Sequence, residues 1–239
     1  IFKFLTNLME ENVICRICLE NINSQYIKPC NCSSGNYHIK CLEKWILTKE
    51  KLMNDVTKIG VIGLGNAGSP ILNNLHKSNK YKLFAFDIDI NKLNDVPESV
   101  IKTSSIKNLA EQCNVVLTCL PKPEHVLEAV DGDEGLLKNA LPGTVWIDTS
   151  TTNFKQTQKL ASKAETHGVL MLEATLTGGV HALQNNNMVC LAGGDKETFK
   201  IWKEVLQDAI GEVVVLCGDI GAGAIAKVVS NMLAFTNMV

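Results

Sequence analysis

The chain has almost no surplus of charge. Its 23 Lys and Arg against 25 Asp and Glu leave a net charge of −2, with no basic block. That excludes a broad electrostatic footprint for nucleic acid. Nor is there an uninterrupted apolar run of the roughly 20 residues that a membrane helix needs. The most apolar stretch, 220–239, is broken by Lys227, Ser230 and Asn231, so no membrane span is expected. The opening IFKFLTNLME is short and acid-flanked, and it lacks the Arg and Ser richness of a transit peptide. An intracellular, reducing setting, cytoplasmic by default, is therefore expected. Neither an internal repeat nor a Gly/Ser linker marks a domain junction. Charged residues at 20% and hydrophobic ones at 46% argue against wholesale disorder.

Cysteine is not scarce, but it is spread unevenly. Cys15, Cys18, Cys30, Cys32 and Cys41 crowd the N-terminal stretch, while Cys113, Cys119, Cys190 and Cys217 are scattered among apolar residues. In a reducing compartment the first group suggests metal and the second suggests small buried hydrophobes. The first group runs Cys15-x2-Cys18, Cys30-x-Cys32, His38-x2-Cys41. A two-residue gap lets two thiolates face one tetrahedral Zn²⁺ from a tight turn. With "CRICLE" and "KPCNCSSGNYHIKCLEKW" around it, this order resembles the RING-CH zinc finger, a ubiquitin-ligase module. The resemblance implies one complete zinc site from Cys15, Cys18, His38 and Cys41. Cys30 and Cys32 would be half of a second. No fourth ligand pair follows, so the finger is incomplete and ubiquitin transfer is not expected of it.

From Lys58 the pattern changes. An apolar run, Ile59–Ile62, leads directly into Gly63-Leu64-Gly65-Asn66-Ala67-Gly68, then a helix-like segment over 69–77, then a second apolar run, 82–86, ending at Asp87. Strand, glycine turn, helix, strand and terminal acid in that order predict a dinucleotide-binding βαβ unit. The glycines permit the turn and a close backbone approach to a pyrophosphate, and the helix start favours negative charge. Asp87, about 20 residues past the glycines, suits the adenine-ribose hydroxyls and repels a 2′-phosphate, so NAD is favoured over NADP. Further apolar runs at 115–120, 144–148, 169–172, 188–192 and 213–216 alternate with polar, helix-like segments such as 153–166. This is the grammar of a Rossmann-type, doubly wound parallel α/β sheet.

The blocks "GLGNAGSP", "CLPKPEHV", "EATLTGGV" and "GDIGAGAIAKVVSNM" resemble the β-hydroxyacid dehydrogenase family, and within it the 3-hydroxyisobutyrate dehydrogenases, over about 58–239. The resemblance implies NAD-dependent oxidation of a small 3-hydroxy acid to a semialdehyde, with homo-oligomers in full-length members and a mitochondrial setting as an alternative to the cytoplasm. Lys227 would be general base, with Asn231 beside it one helical turn on. Its apolar neighbours Ile225, Ala226, Val228 and Val229 are expected to keep it dry. Thr177, Gly178 and Gly179 would anchor the substrate carboxylate, and Leu120, Pro121 and Thr151 would contact the cofactor. The family pattern Asp-Ala-Pro-Val-Ser becomes Glu173-Ala174-Thr175-Leu176-Thr177 here, and losing the proline is expected to loosen a turn. His125 and His181 match no family position.

Three segments follow: an incomplete finger at 1–55, a nucleotide-binding domain at 56–219, and the first helix of a further helical domain at 220–239. In the family that domain covers the substrate. Left uncovered, Ile225, Val229, Met232, Leu233 and Phe235 are expected to weaken turnover and promote self-association while cofactor binding persists. The abrupt junction at 49–55 suggests modules from two sources. The rival reading is a zinc-dependent interaction or ubiquitin-ligase protein with a nucleotide-binding appendage, whose partner would be a ubiquitin-conjugating enzyme. A non-enzymatic reader is the third, opposed by the retention of Lys227 and Asn231.

Overall fold

The computed structural model describes residues 26–27, 37–38 and 56–236. Two short strands, β1 (Tyr26–Ile27) and β2 (Tyr37–His38), pair antiparallel. The expected zinc ligands Cys15, Cys18, Cys30, Cys32 and Cys41 lie outside the described residues, and of His38 only the backbone is described.

The rest forms one eight-stranded sheet with helices on both faces. In chain order the elements are β3 (Lys58–Ile62), α1 (Gly68–Ser78), β4 (Lys82–Phe86), a 3₁₀ turn (Ile90–Leu93), β5 (Ile101–Lys102), α2 (Ile106–Ala110) and β6 (Val115–Thr118). Next come α3 (Pro123–Asp131), α4 (Leu136–Asn139), β7 (Val145–Asp148), α5 (Phe154–Thr166) and β8 (Leu170–Thr177). Finally there are α6 (Val180–Gln184), β9 (Val189–Gly194), α7 (Lys196–Ala209), β10 (Val214–Gly218) and α8 (Ala222–Thr236). Strand order is β10-β9-β8-β7-β6-β3-β4-β5. Its β5-β4-β3-β6-β7-β8 portion is parallel throughout and reverses direction of growth at β3, the doubly wound arrangement that the sequence pattern implies.

Central strands buried on both faces must be apolar at every position. Val115, Val116, Leu117, Val145, Trp146 and Ile147 are all essentially inaccessible. Odd and even positions then feed two cores. Ile59, Val61, Val115 and Leu117 pack with Ile71, Leu72 and Leu75 of α1 and Leu206 of α7, while Phe84, Val116 and Trp146 pack with α2, α3 and α5. Buried Asn74 of α1 donates to the carbonyls of Leu183 and Ala209, tying α1 to α6 and to the end of α7.

One feature departs from a fully parallel sheet. β9 runs antiparallel to β8, and β10 is parallel to β9. A parallel return needs a crossover of a dozen or more residues, usually built around a helix that spans the sheet. Residues 178–188 hold only the five-residue α6, so the chain doubles back. β8 consequently continues past the ends of its parallel neighbours, and α8 packs across β8, β9 and β10.

Candidate active site

Register aligns the strand ends in one row: Phe86 with Ile62, Ile62 with Thr118, Thr118 with Asp148, Asp148 with Glu173, and Glu173 with Gly193. Gly218 closes the row beside Gly193. Most of the residues with chemical potential follow this row immediately, where open α/β sheets bind ligands.

At the β3–β4 end the site is made of backbone. Gly63 takes a φ of 91°, and a Cβ there would meet the Cys119 carbonyl oxygen at 2.4 Å. At Gly68 a Cβ would fall 1.8 Å from the Gly63 carbonyl oxygen, so only glycine lets α1 sit this close. Gly65 differs: a Cβ there meets nothing within 4 Å, so this face of the loop is open. The Leu64 N–H donates to Asp87 Oδ2 at 2.6 Å and the Asp89 N–H to Asp87 Oδ1 at 2.8 Å. Asp87 thus holds the loop's shape as well as standing at the end of β4. Beside it lies an open cleft of about 450 Å³, lined by Leu64, Gly65, Asn66, Ser69, Asp89 and Lys92 among others. A depression of similar volume between α1, α6 and α7 holds none of the expected site residues.

The middle of the row carries a buried polar chain. The indole N–H of Trp146 donates to Thr118 Oγ1 at 2.8 Å, and Thr118 Oγ1 donates to Asp148 Oδ1 at 2.8 Å. Asp148 also accepts from the Ser150 N–H, while Ser150 Oγ accepts from the Leu120 N–H at 3.0 Å. Burial pushes the Asp148 carboxyl up to about 6, against the Ser150 and Thr118 hydrogen bonds that pull it down, and neighbouring Glu173 adds to the rise. This network shapes the turns bearing Leu120, Pro121 and Thr151. All three are at least partly exposed.

At the β8–α8 end, Lys227 Nζ donates to Thr151 Oγ1 at 3.0 Å. Burial lowers the lysine's affinity for its proton, partly countered by the Cys119 thiol nearby. The source of that burial corrects the sequence reading. Ile225, Val228 and Val229 do not wrap the lysine, because helical neighbours one or two positions apart point elsewhere. They are 50–58% exposed, and Met232 (64%) and Leu233 (59%) are more so; the Phe235 side chain lies outside the described residues. The amine instead meets Thr151, which follows β7, with Cys119, which follows β6, near enough to act on its charge. Asn231 is exposed. Thr177 is half-buried at the end of β8, and Gly178 (φ 131°) and Gly179 follow it in the open. Position 175 is no turn: Thr175 is within β8, and its hydroxyl donates to the carbonyls of Leu191 (3.0 Å) and Gly223 (3.1 Å). Replacing proline there adds a tether instead of loosening the chain.

Residues 58–218 match the family described as the NAD binding domain of 6-phosphogluconate dehydrogenase. The chain belongs to that family. Residues 15–56 separately match the RING-variant domain. Among curated relatives, the mitochondrial 3-hydroxyisobutyrate dehydrogenase of Homo sapiens is 34% identical over 186 residues, covering 77% of this chain and 54% of that protein. The probable mitochondrial 3-hydroxyisobutyrate dehydrogenase of Dictyostelium discoideum is 31% identical, over 76% of this chain and 56% of its own length. The chain thus spans just over half the length of these relatives. Among solved structures, Mycobacterium tuberculosis 3-hydroxyisobutyrate dehydrogenase with L-serine superposes at a TM-score of 0.70 with 30% identity, over 75% of this chain and 60% of that one. An imine reductase from Myxococcus stipitatus in complex with NAD⁺ reaches the same TM-score at 14% identity, which shows the fold alone.

For this member of the 6-phosphogluconate dehydrogenase NAD-binding family, several contacts around the site are not legible from motif spacing. Asp148 reaches Thr118, Ser150 reaches Leu120, and Glu173 and Thr175 reach the start of α8, all across long gaps in the chain. A buried acid inside a strand, as in LMLEATLT, was the one available hint. Cys113 and Cys190 are buried and their thiols are raised to about 12, as for packing residues. Burial also raises those of Cys119 and Cys217, which are only partly buried. His125 and His181 are exposed. Among the described residues no helix is long and apolar enough to cross a membrane.

Proposed function

We propose that the chain binds NAD at the Gly63–Gly68 loop and contributes Lys227 as the base in oxidation of a small 3-hydroxy acid, such as 3-hydroxyisobutyrate, to its semialdehyde. The observation that carries this reading is the Lys227–Thr151 contact of 3.0 Å, just beyond the strand-end row that also bears the glycine loop. The open face at Gly65 fits a pyrophosphate, with Leu64, Asn66 and Ala67 around it. Asp87 favours a free ribose 2′-hydroxyl over a phosphate. Nicotinamide, when bound, supplies the hydride acceptor.

The chain's own residues do the rest. Burial increases the neutral fraction of Lys227, allowing it to take the hydroxyl proton of the acid. Thr151 holds the amine toward the cofactor side, and Asn231 lies one turn further on for the substrate. The Thr177 hydroxyl and the amides of Gly178 and Gly179 offer a compact acceptor for the carboxylate. The names of the relatives support the substrate class and suggest a mitochondrial setting. For residues 15–56 the RING-variant match supports zinc at Cys15, Cys18, His38 and Cys41, with about one equivalent retained through dialysis against a mild chelator. Two retained equivalents would show that further ligands complete the Cys30 and Cys32 pair.

The test is NADH formation with a series of small 3-hydroxy acids. Lys227→Ala should lower kcat on the order of 10²–10⁴-fold with NAD affinity unchanged. Activity of the unmodified protein should rise with pH as Lys227 loses its proton, at a midpoint below that of an ordinary lysine. Undiminished turnover in Lys227→Ala would contradict the assignment.

A further inference from the structure

None of the steps above uses the buried carboxylate of Glu173, which is only 2% exposed. Both of its oxygens are spent on one object. Oε2 accepts from the N–H groups of Gly221 (2.9 Å) and Gly223 (3.2 Å), and Oε1 from that of Ala224 (2.7 Å). These are the groups that the first turn of α8 leaves without intrahelical partners. Helices usually satisfy them with an adjacent N-cap side chain. Here a strand residue about 50 positions earlier does so.

The surroundings are shaped for this clamp. A Cβ on Gly193 would lie 2.6 Å from Glu173 Oε2, and one on Gly223 would lie 3.2 Å from the same oxygen and 2.5 Å from the Leu191 carbonyl oxygen. Thr175 adds the second fastening through the Gly223 carbonyl. Alternate strand residues share a face, so Glu173, Thr175 and Thr177 all point to the side that α8 covers. Burial raises the Glu173 carboxyl's affinity for a proton, and the three backbone donors hold that rise down. The positive end of α8 favours the ionised form as well. Asp148, at the end of β7, is its register partner.

We propose that Glu173 is a positioning residue for Lys227: by clamping the first turn of α8 onto β8, it sets where the amine meets Thr151 and how far it stands from the anion-binding turn at Thr177–Gly179. The proposal rests on the dehydrogenase reading and extends it. One rigid strand carries both the substrate anchor and the clamp on the helix that bears the base. A displacement near 1 Å at such a base can cost on the order of 100-fold in rate.

The experiment compares the full chain with Glu173→Gln and Glu173→Asp. Glutamine keeps the shape but offers an NH₂ where an acceptor is required. Aspartate keeps the charge on a shorter stem. Glu173→Gln should leave NAD affinity within about twofold and lower kcat by about 30-fold, on the scale expected for a misplaced base. Its Lys227 titration, read by NMR after ¹³C-methylation and assigned with Lys227→Arg, should move up toward that of an ordinary lysine. Glu173→Asp should recover part of both. An unmoved titration with kcat within twofold in Glu173→Gln would overturn the proposal. So would a loss of NAD affinity that parallels the loss of turnover in both variants. If the unmodified chain reduces no NAD, the dehydrogenase reading fails separately, and the Lys227 titration still decides the clamp. Should Glu173→Gln not fold, Glu173→Asp is read the same way, an unmoved titration counting against.

Discussion

At the β3–β4 end of the sheet the site is built from backbone: glycines that admit no Cβ, one that admits anything, and a carboxylate holding a loop amide. At the β8–α8 end it is built from side chains, with Glu173, Thr175, Thr151 and Lys227 reaching one another across long gaps in the chain. The first end is local, because its pieces lie within one βαβ unit. The second is assembled only when the sheet closes, and its geometry depends on where β8 and α8 come to rest. Cofactor binding and proton transfer should therefore fail independently when each end is damaged.

The largest expected effect on binding comes from Gly65→Val. A Cβ there meets nothing within 4 Å, so thermal stability should change little. In the proposed site the valine fills the space of the pyrophosphate, and NAD affinity should fall by about 100-fold, which corresponds to about 2.7 kcal/mol. Calorimetry beside a melting curve separates the two. Stability lost together with binding would show that the loop's open face is structural.

An effect on stability sharpens the middle of the row. Asp148 has a carboxyl raised by burial to about 6 from 3.8, so the folded state binds its proton more tightly than the unfolded state. The resulting penalty is fully present above pH 6 and is relieved as pH falls from there toward 4. Asp148→Asn can still accept from Thr118 and Ser150. It should stabilise the protein at pH 7.5 by an amount on the order of 2–3 kcal/mol at most. The advantage should shrink by pH 5. Denaturant unfolding at the two pH values checks this, and an advantage independent of pH would place the proton elsewhere.

Legibility in the sequence follows the same division. The glycine loop, Asp87 and the buried central strands could be read directly, since contiguous spacing encodes a turn, a helix start and a fully apolar strand. The reversal of β9 was missed because it depends on a connection too short for a crossover, not on any strand's own pattern. The proline-bearing family pattern implies a turn at Thr175, whereas the strand here runs straight to Thr177. The surroundings of Lys227 are not legible from its chain neighbours, because Ile225, Val228 and Val229 are exposed while the amine meets Thr151, which follows β7. Glu173 looked like a variant of a family acid, with nothing in its neighbours to reveal a helix cap.

The central claim is that the strand-end row forms an NAD site whose selectivity resides in Asp87. Calorimetric titration of the unmodified chain with NAD and then NADP tests it most directly, with Asp87→Ala as control. NAD should bind at least about 10-fold more tightly than NADP, a difference of about 1.4 kcal/mol. In Asp87→Ala the gap should close, and NAD should also weaken because the Leu64 N–H loses its acceptor. Equal affinities in the unmodified chain, or a preference for NADP, would contradict the account.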